Sequence, residues 1–396
     1  MTDTSSNSAS DSISSPVPGK LARNAPRPTS RHTERDTARQ RNAASTALAY
    51  DPFNLRHTQR GHPENARRLE ETWKLLQIDG IANQLLPVEL GLAPERAVLR
   101  VHTQEYWDRL YMTSILGGGR LDPDTYSNED SFEAAQRAAG STLHTIDAVL
   151  TAQVSNGFAL VRPPGHHALA ETAMGFCLLA NVAIAARWAQ DQYGVDRILI
   201  VDFDVHHGNG TQDIFYGDPS VLFFSMHQYP YYPGSGGAQE IGRDPASGST
   251  INVPFAPGVG DHGYLEALHK VLIPAARRFQ PELILVSAGY DSHWMDPLAE
   301  MQLSVRGYTQ LLETLLELAE EVCDGRLVAT LEGGYHAQVL SHAVLSALRL
   351  LSGSRRGVSD PFGLAPGRER PVAGLLEQLC SLHHLPEPPT YSFGRS

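Results

Sequence analysis

The sequence predicts a single α/β domain, a mainly parallel β-sheet sandwiched by helices, on three observations. Five short apolar, β-branched runs read as buried strands: Phe158–Val161, Ile198–Val201, Val221–Phe224, Leu283–Val286 and Leu327–Leu331. Helix-like stretches separate most of them, the βαβ pattern of a parallel sheet. Each run is closely followed by a polar phrase: Arg-Pro-Pro-Gly-His-His at 162–167, Asp-Phe-Asp-Val-His-His-Gly-Asn-Gly at 202–210, Ser-Met-His at 225–227, Gly-Tyr-Asp at 289–291 and Glu-Gly-Gly-Tyr at 332–335. Open α/β sheets carry their sites at the carboxyl ends of the strands, so these phrases should meet along one edge. Their residue types point to a hydrolytic metalloenzyme.

Taken in order, residues 1–45 are rich in Ser, Thr, Ala, Pro and Arg, lack apolar periodicity, and read as a disordered arm. Arg23, Arg27, Arg31, Arg35, Arg39 and Arg41 admit organellar import as a minor alternative. Asp3, Asp11, Glu34 and Asp36 oppose it, and a cytoplasmic location is expected. The catalytic domain spans 46–385, with regular structure starting near Tyr50. His62-Pro63-Glu64-Asn65 opens a helix to about Gln77. Further helices are expected over Ser131–Val154, Gly175–Gln192, Tyr264–Phe279 and Val305–Val322, and residues 386–396 read as an extended tail. No linker or internal repeat divides the domain.

Composition narrows the function classes. With 32 basic and 44 acidic residues the formal net charge is −12. That gives no basic face for nucleic acid, permits a basic peptide substrate, and also serves simple solubility. No apolar stretch approaches the ~18 residues of a membrane span. Cys177, Cys323 and Cys380 lie far apart, form no CxxC motif and fit a reducing compartment. Cys177, beside the histidine pair, reads as a small core residue more readily than as a reactive thiol. An oligomer is compatible with the sequence.

The candidate metal ligands are Asp204, His206 and Asp291. A hydrolytic zinc site uses three such ligands and leaves a position open. Asp204 and His206 stand two apart on an extended segment, so both can face one side. The adjacent His166 and His167 can supply a general base and an acid or electrostatic partner, with Asp202 and Asn209 as candidate orienting acceptors. Tyr335, after two glycines, can donate to an oxyanion. Each phrase alone has a plainer structural explanation; together they do not.

These residues resemble the zinc-dependent histone deacetylase family, whose fold is shared with the arginases, over about Tyr50 to Leu351. The resemblance implies one catalytic Zn2+ on Asp204, His206 and Asp291, with His167 as base, His166 beside it, and Tyr335 polarising the acetyl carbonyl. Asp202 would orient His166, and Asn209 would sit behind His167. Asn at 209 and the phrase Gly-Tyr-Asp-Ser-His-Trp-Met-Asp-Pro-Leu are class II-like, closest to bacterial and plant-organelle members. A structural K+ is implied at Asp202, Asp204, His206, Ser225 and Met226. A substrate tunnel is implied at Phe176, Tyr232, Leu298 and Gly333, with Tyr232 departing from the usual Phe.

The implied reaction is hydrolysis of the acetyl amide of N-acetyl-lysine in proteins or peptides. A small acetylated amine is the alternative substrate. Acetylpolyamine-type relatives can carry Glu seven residues after the zinc-binding Asp, and here that position is Leu298. An arginase-like site would need a second carboxylate in Asp-x-His-x-Asp, which Asp204-Val205-His206-His207-Gly208 lacks. A binding-only acetyl-lysine module would be expected had a ligand or Tyr335 been replaced.

Overall fold

The computed structural model describes residues 46–354 and 356–386; the expected arm at 1–45 and tail residues 387–396 lie outside them. The strands are β1 (Thr46–Ala49), β2 (Leu86–Pro87), β3 (Gly118–Arg120), β4 (Tyr126–Asn128), β5 (Asn156–Ala159), β6 (Ile198–Asp202), β7 (Val221–Gln228), β8 (Thr250–Phe255), β9 (Leu283–Ala288) and β10 (Leu327–Leu331). Eight form one sheet in the order β2-β1-β5-β10-β9-β6-β7-β8, and every pairing in it is parallel. β3 and β4 make a separate antiparallel pair.

The central strands are apolar over most of their length because helices cover both faces. The alternation of side chains still matters, because it feeds two cores. Leu199, Val201, Leu222, Phe224, Ile284 and Val286 enter the core under helices Val305–Cys323 and Ala337–Leu351. Their neighbours Ile198, Ile200, Val221, Phe223, Leu283 and Leu285 enter the other, under helices Ser131–Leu150 and Asn181–Tyr193. The register also levels the ends of the strands. Asp202 lies opposite Ser225 on one side and Ser287 on the other, and Ser287 lies opposite Thr330.

Several expected boundaries move. The first helix begins at Arg67, not His62, because His62–Asn65 forms a turn in which Asn65 Nδ2 donates to the His62 carbonyl at 2.6 Å. The helix expected from Gly175 begins at Asn181, since Gly175 and Phe176 both have positive φ. Ser131's helix ends at Leu150, and the run placed at 158–161 is a strand over 156–159. The stretch 264–279 starts at Asp261 and passes through a π-helical turn at Leu268–Leu272. Pro274 has no N–H to offer the Lys270 carbonyl, which instead accepts from Cys380 Sγ at 3.4 Å.

Regular structure also begins before Tyr50. β1 is an inner strand, paired with β2 on one side and β5 on the other. β8 and the helices Gln104–Ile115, Ala337–Leu351 and Ala373–Leu382 were not anticipated. No described helix is long and apolar enough to cross a membrane. A chain truncated to begin at residue 51 should therefore unfold at least roughly 5 °C below one beginning at residue 46. Thermal unfolding followed by circular dichroism checks this; equal midpoints would mean that β1 contributes nothing.

Candidate active site

The polar phrases do meet at the carboxyl edge of the sheet. Beyond β6, Asp204 and His206 turn the same way, and Asp291 arrives from beyond β9. One ligand-type atom from each of the three lies within 4.8 Å of the other two. His206 Nδ1 stands 3.2 Å from Asp204 Oδ1 and 3.3 Å from Asp291 Oδ2. Asp291 Oδ1 accepts from the Val205 N–H at 2.9 Å, whereas Oδ2 is buried with no hydrogen bond. Two carboxylates and an imidazole converging in a buried space are a fitting donor set for a divalent cation. Charge points the same way. Asp202, Asp204, Asp291 and Glu332 are all fully buried, and among the described residues no Lys or Arg side chain pairs with any of them.

Gly333 is glycine for a visible reason. A Cβ there would overlap the carboxylates of both Asp204 and Asp291. Its N–H instead donates to Asp204 Oδ2 at 2.8 Å.

His166 and His167 leave β5 side by side, their rings 4.0 Å apart, and both are buried. Their partners differ. His166 Nδ1 lies 3.0 Å from Asp202 Oδ2, and His167 Nδ1 lies 2.7 Å from Asn209 Oδ1. Burial opposes a charge on His166, but the Asp202 and Asp204 carboxylates overcome it and hold its pKa well above the usual imidazole range. Burial and the neighbouring His166 and His206 push His167 well below that range. The pair is thus split into a charged and a neutral imidazole.

Tyr335 is half-buried, and burial with the nearby Asp291 raises its phenol far above its ordinary value, so the hydroxyl keeps its proton. Its N–H and that of His336 both donate to Asp296 Oδ2, at 2.7 and 3.1 Å. Phe176 meets Tyr335 edge-on at 5.7 Å, and Tyr232 meets His167 edge-on at 5.3 Å, so both aromatics flank the site. Leu298 lies further out. Its carbonyl accepts from the Tyr231 hydroxyl at 3.1 Å, and Tyr231 stacks on His206 at 5.8 Å. Ser225 and Met226 are buried on β7, level with the start of the Asp202–His206 segment.

Several residues of the site escaped the sequence reading. Glu332 Oε2 accepts from the N–H groups of Gly165 and His166 at 2.7 and 3.2 Å, and burial lifts its carboxyl to about 7. Arg68 donates to the carbonyls of Glu332 and Gly334 at 2.5 and 2.7 Å, and lies 5.0 Å over the Tyr335 ring. Behind it, Glu64 is fully buried between Arg68, at 3.1 Å, and Arg162. The signals were present in His-Pro-Glu-Asn, in the Glu of Glu-Gly-Gly-Tyr and in the Asp of Asp-Pro-Leu. Nothing local distinguishes a buried charge from a capping or solvent-facing one.

Comparison with known proteins matches this architecture to a named group. Residues 62–351 match the histone deacetylase domain. The chain belongs to the histone deacetylase family. It is 41% identical over 312 residues to an Archaeoglobus fulgidus protein named "Probable deacetylase", covering 78% of this chain and 86% of that one. It is 40% identical over 301 residues to the histone deacetylase-like amidohydrolase of Pseudomonas aeruginosa, covering 76% and 78%. The crystal structure of the HDA15 HD domain superposes with a TM-score of 0.79 at 36% identity, covering 86% of this chain and 95% of that one. The fold is thus that of the histone deacetylases, and the chain is a hydrolase of that family.

The Glu64 cluster sets a stability expectation. Glu64→Gln leaves Arg162 buried without its carboxylate, and loss of one partner of such a pair costs about 3–5 kcal/mol. Denaturant unfolding checks it; a change below about 1 kcal/mol would show that the arginines find other compensation.

Proposed function

We propose that the chain is a zinc-dependent deacetylase hydrolysing the acetyl amide of N-acetyl-lysine in peptides or proteins. The observation that carries the reading is the Asn209-tethered His167 beside the Asp204–His206–Asp291 donor set. With Nδ1–H given to Asn209, His167 presents Nε2 as an acceptor. In this reading Nε2 takes the proton of the attacking water and later returns it to the leaving amine. His166 stays charged against Asp202. The Tyr335 hydroxyl donates to the oxyanion that develops on the acetyl carbonyl, a contribution of about 3–4 kcal/mol for a donor of this kind. A zinc ion held by Asp204, His206 and Asp291 would polarise that carbonyl and lower the pKa of a bound water. Asp202, Asp204, His206, Ser225 and Met226 would hold a K+ beneath, consistent with the buried carboxylates there, which no Lys or Arg pairs with among the described residues.

One zinc per chain is expected. Asp291→Ala should abolish both bound zinc and deacetylation, as read by metal analysis and a peptide assay. Two essential divalent ions per chain would overturn the single-metal reading in favour of arginase-like chemistry.

Tyr335→Phe removes only the hydroxyl. It should lower kcat by roughly 10²–10³ with zinc retained. Near-normal turnover would reduce Tyr335 to a packing residue.

Substrate class rests on the outer wall. Phe176 and Tyr232 suit an alkyl stem carrying a neutral amide. Leu298, half-buried below Tyr231, offers a protonated polyamine nitrogen no partner. We therefore favour acetyl-lysine over small acetylated amines. In parallel assays kcat/KM should be higher for acetyl-lysine peptides than for acetylspermidine, and Leu298→Glu should move the ratio towards the polyamine. A wild-type preference for acetylspermidine, or an unchanged ratio in the variant, would remove Leu298 as selector.

A further inference from the structure

The opposite edge of the sheet holds a second concavity, far from the candidate active site. It is a cavity of about 550 Å³ at the amino ends of β6, β7 and β8, against helices Ile273–Phe279 and Ala373–Leu382. β6 alone puts it on the order of 17 Å from the carboxyl edge, at about 3.3 Å per residue. The size suits a small ligand. Its apolar wall includes Leu222, Ile241 and Phe279, and its polar groups include Arg278, His383 and His384.

Three features define what it would accept. First, no carboxylate lines it among the described residues. Second, Arg278 has no carboxylate partner among the described residues. Its Nη1 donates to the His383 carbonyl at 2.8 Å, which holds the guanidinium beside the imidazole. Arg197, also in the lining, is by contrast neutralised by Glu282 at 2.8 Å. Third, His383 is only 4% exposed, yet among the described residues neither ring nitrogen has a hydrogen-bond partner. A buried imidazole in that condition has lost its water without replacement. Burial, then the Arg278 guanidinium and the neighbouring His384, lower its pKa to about 4, so it is neutral.

We propose that this cavity is a second ligand site, which takes a small organic monoanion: an anionic head on a hydrocarbon body. The head pairs with Arg278 beside the buried His383 ring, and the body lies on Leu222, Ile241 and Phe279. A cation would meet only like charge. A neutral amphiphile would leave Arg278 without its counter-charge.

The test is calorimetric titration of the full-length chain with octanoate, alongside octanamide, which lacks the charge, and acetate, which lacks the body. Octanoate should bind, and both controls should bind at least about tenfold more weakly. Arg278→Gln should lower octanoate affinity by about tenfold and leave deacetylase kcat/KM unchanged. Ser247→Trp, placed at the exposed rim, should obstruct the cavity and weaken octanoate binding at least about tenfold with Arg278 in place, so the test stands if Arg278→Gln misfolds. Absence of octanoate binding overturns the proposal, as does octanamide binding equally well. Octanoate binding that survives both substitutions lies elsewhere and overturns it too.

Discussion

One buried carboxylate ties the site together from behind. Glu64 receives Arg162, from the end of β5, and Arg68, from the first turn of helix Arg67–Asp79. Arg68 then reaches across to the carbonyls of Glu332 and Gly334, at the turn that carries Tyr335. Three separate chain segments are thereby fixed by charge-assisted bonds. Burial opposes the Glu64 charge, but Arg162 outweighs it and holds the carboxyl down near 2. Its stabilising contribution is therefore full above the ordinary carboxylate range. It fades only as the pH falls towards that value.

The floor of the site has the opposite character. Asp202, Asp204, Asp291 and Glu332 bring four acids into a dry space with two charge-accepting imidazoles, His166 and His206. The arginines nearby bond to backbone carbonyls and to Glu64, not to these acids. A fold that buries acids this way stores negative potential at one point, which suits a site for cations.

Much of this was legible in the sequence, for a physical reason. A strand buried on both faces must be a continuous apolar run, so Ile198–Val201, Val221–Phe224, Leu283–Val286 and Leu327–Leu331 stand out. The chemistry follows directly after them. β1, Thr-Ala-Leu-Ala, was illegible because it is short and Ala-rich, and it adjoins the compositionally biased arm. Gly175–Ala180 looked helical because its apolar residues continue the helix behind it; the positive φ at Phe176 is imposed by the surroundings. Glu64, Arg68 and Asp296 were invisible as partners because their contacts span 266 residues in one case and 39 in another.

The even covering of the sheet has a final consequence. Where one face is wet, a strand that slides by one residue exposes its apolar side, and water corrects the error. Here both faces are oily, so that signal is lost for β6, β7 and β9. What remains is the polar step at their carboxyl ends, where Asp202 stands level with Ser225 and Ser287. Sliding would drag a carboxylate into hydrocarbon. The same residues that equip the edge for chemistry thus act as a register stop for the strands beneath it, and a substitution made there to probe catalysis also loosens the rule by which the sheet aligns itself.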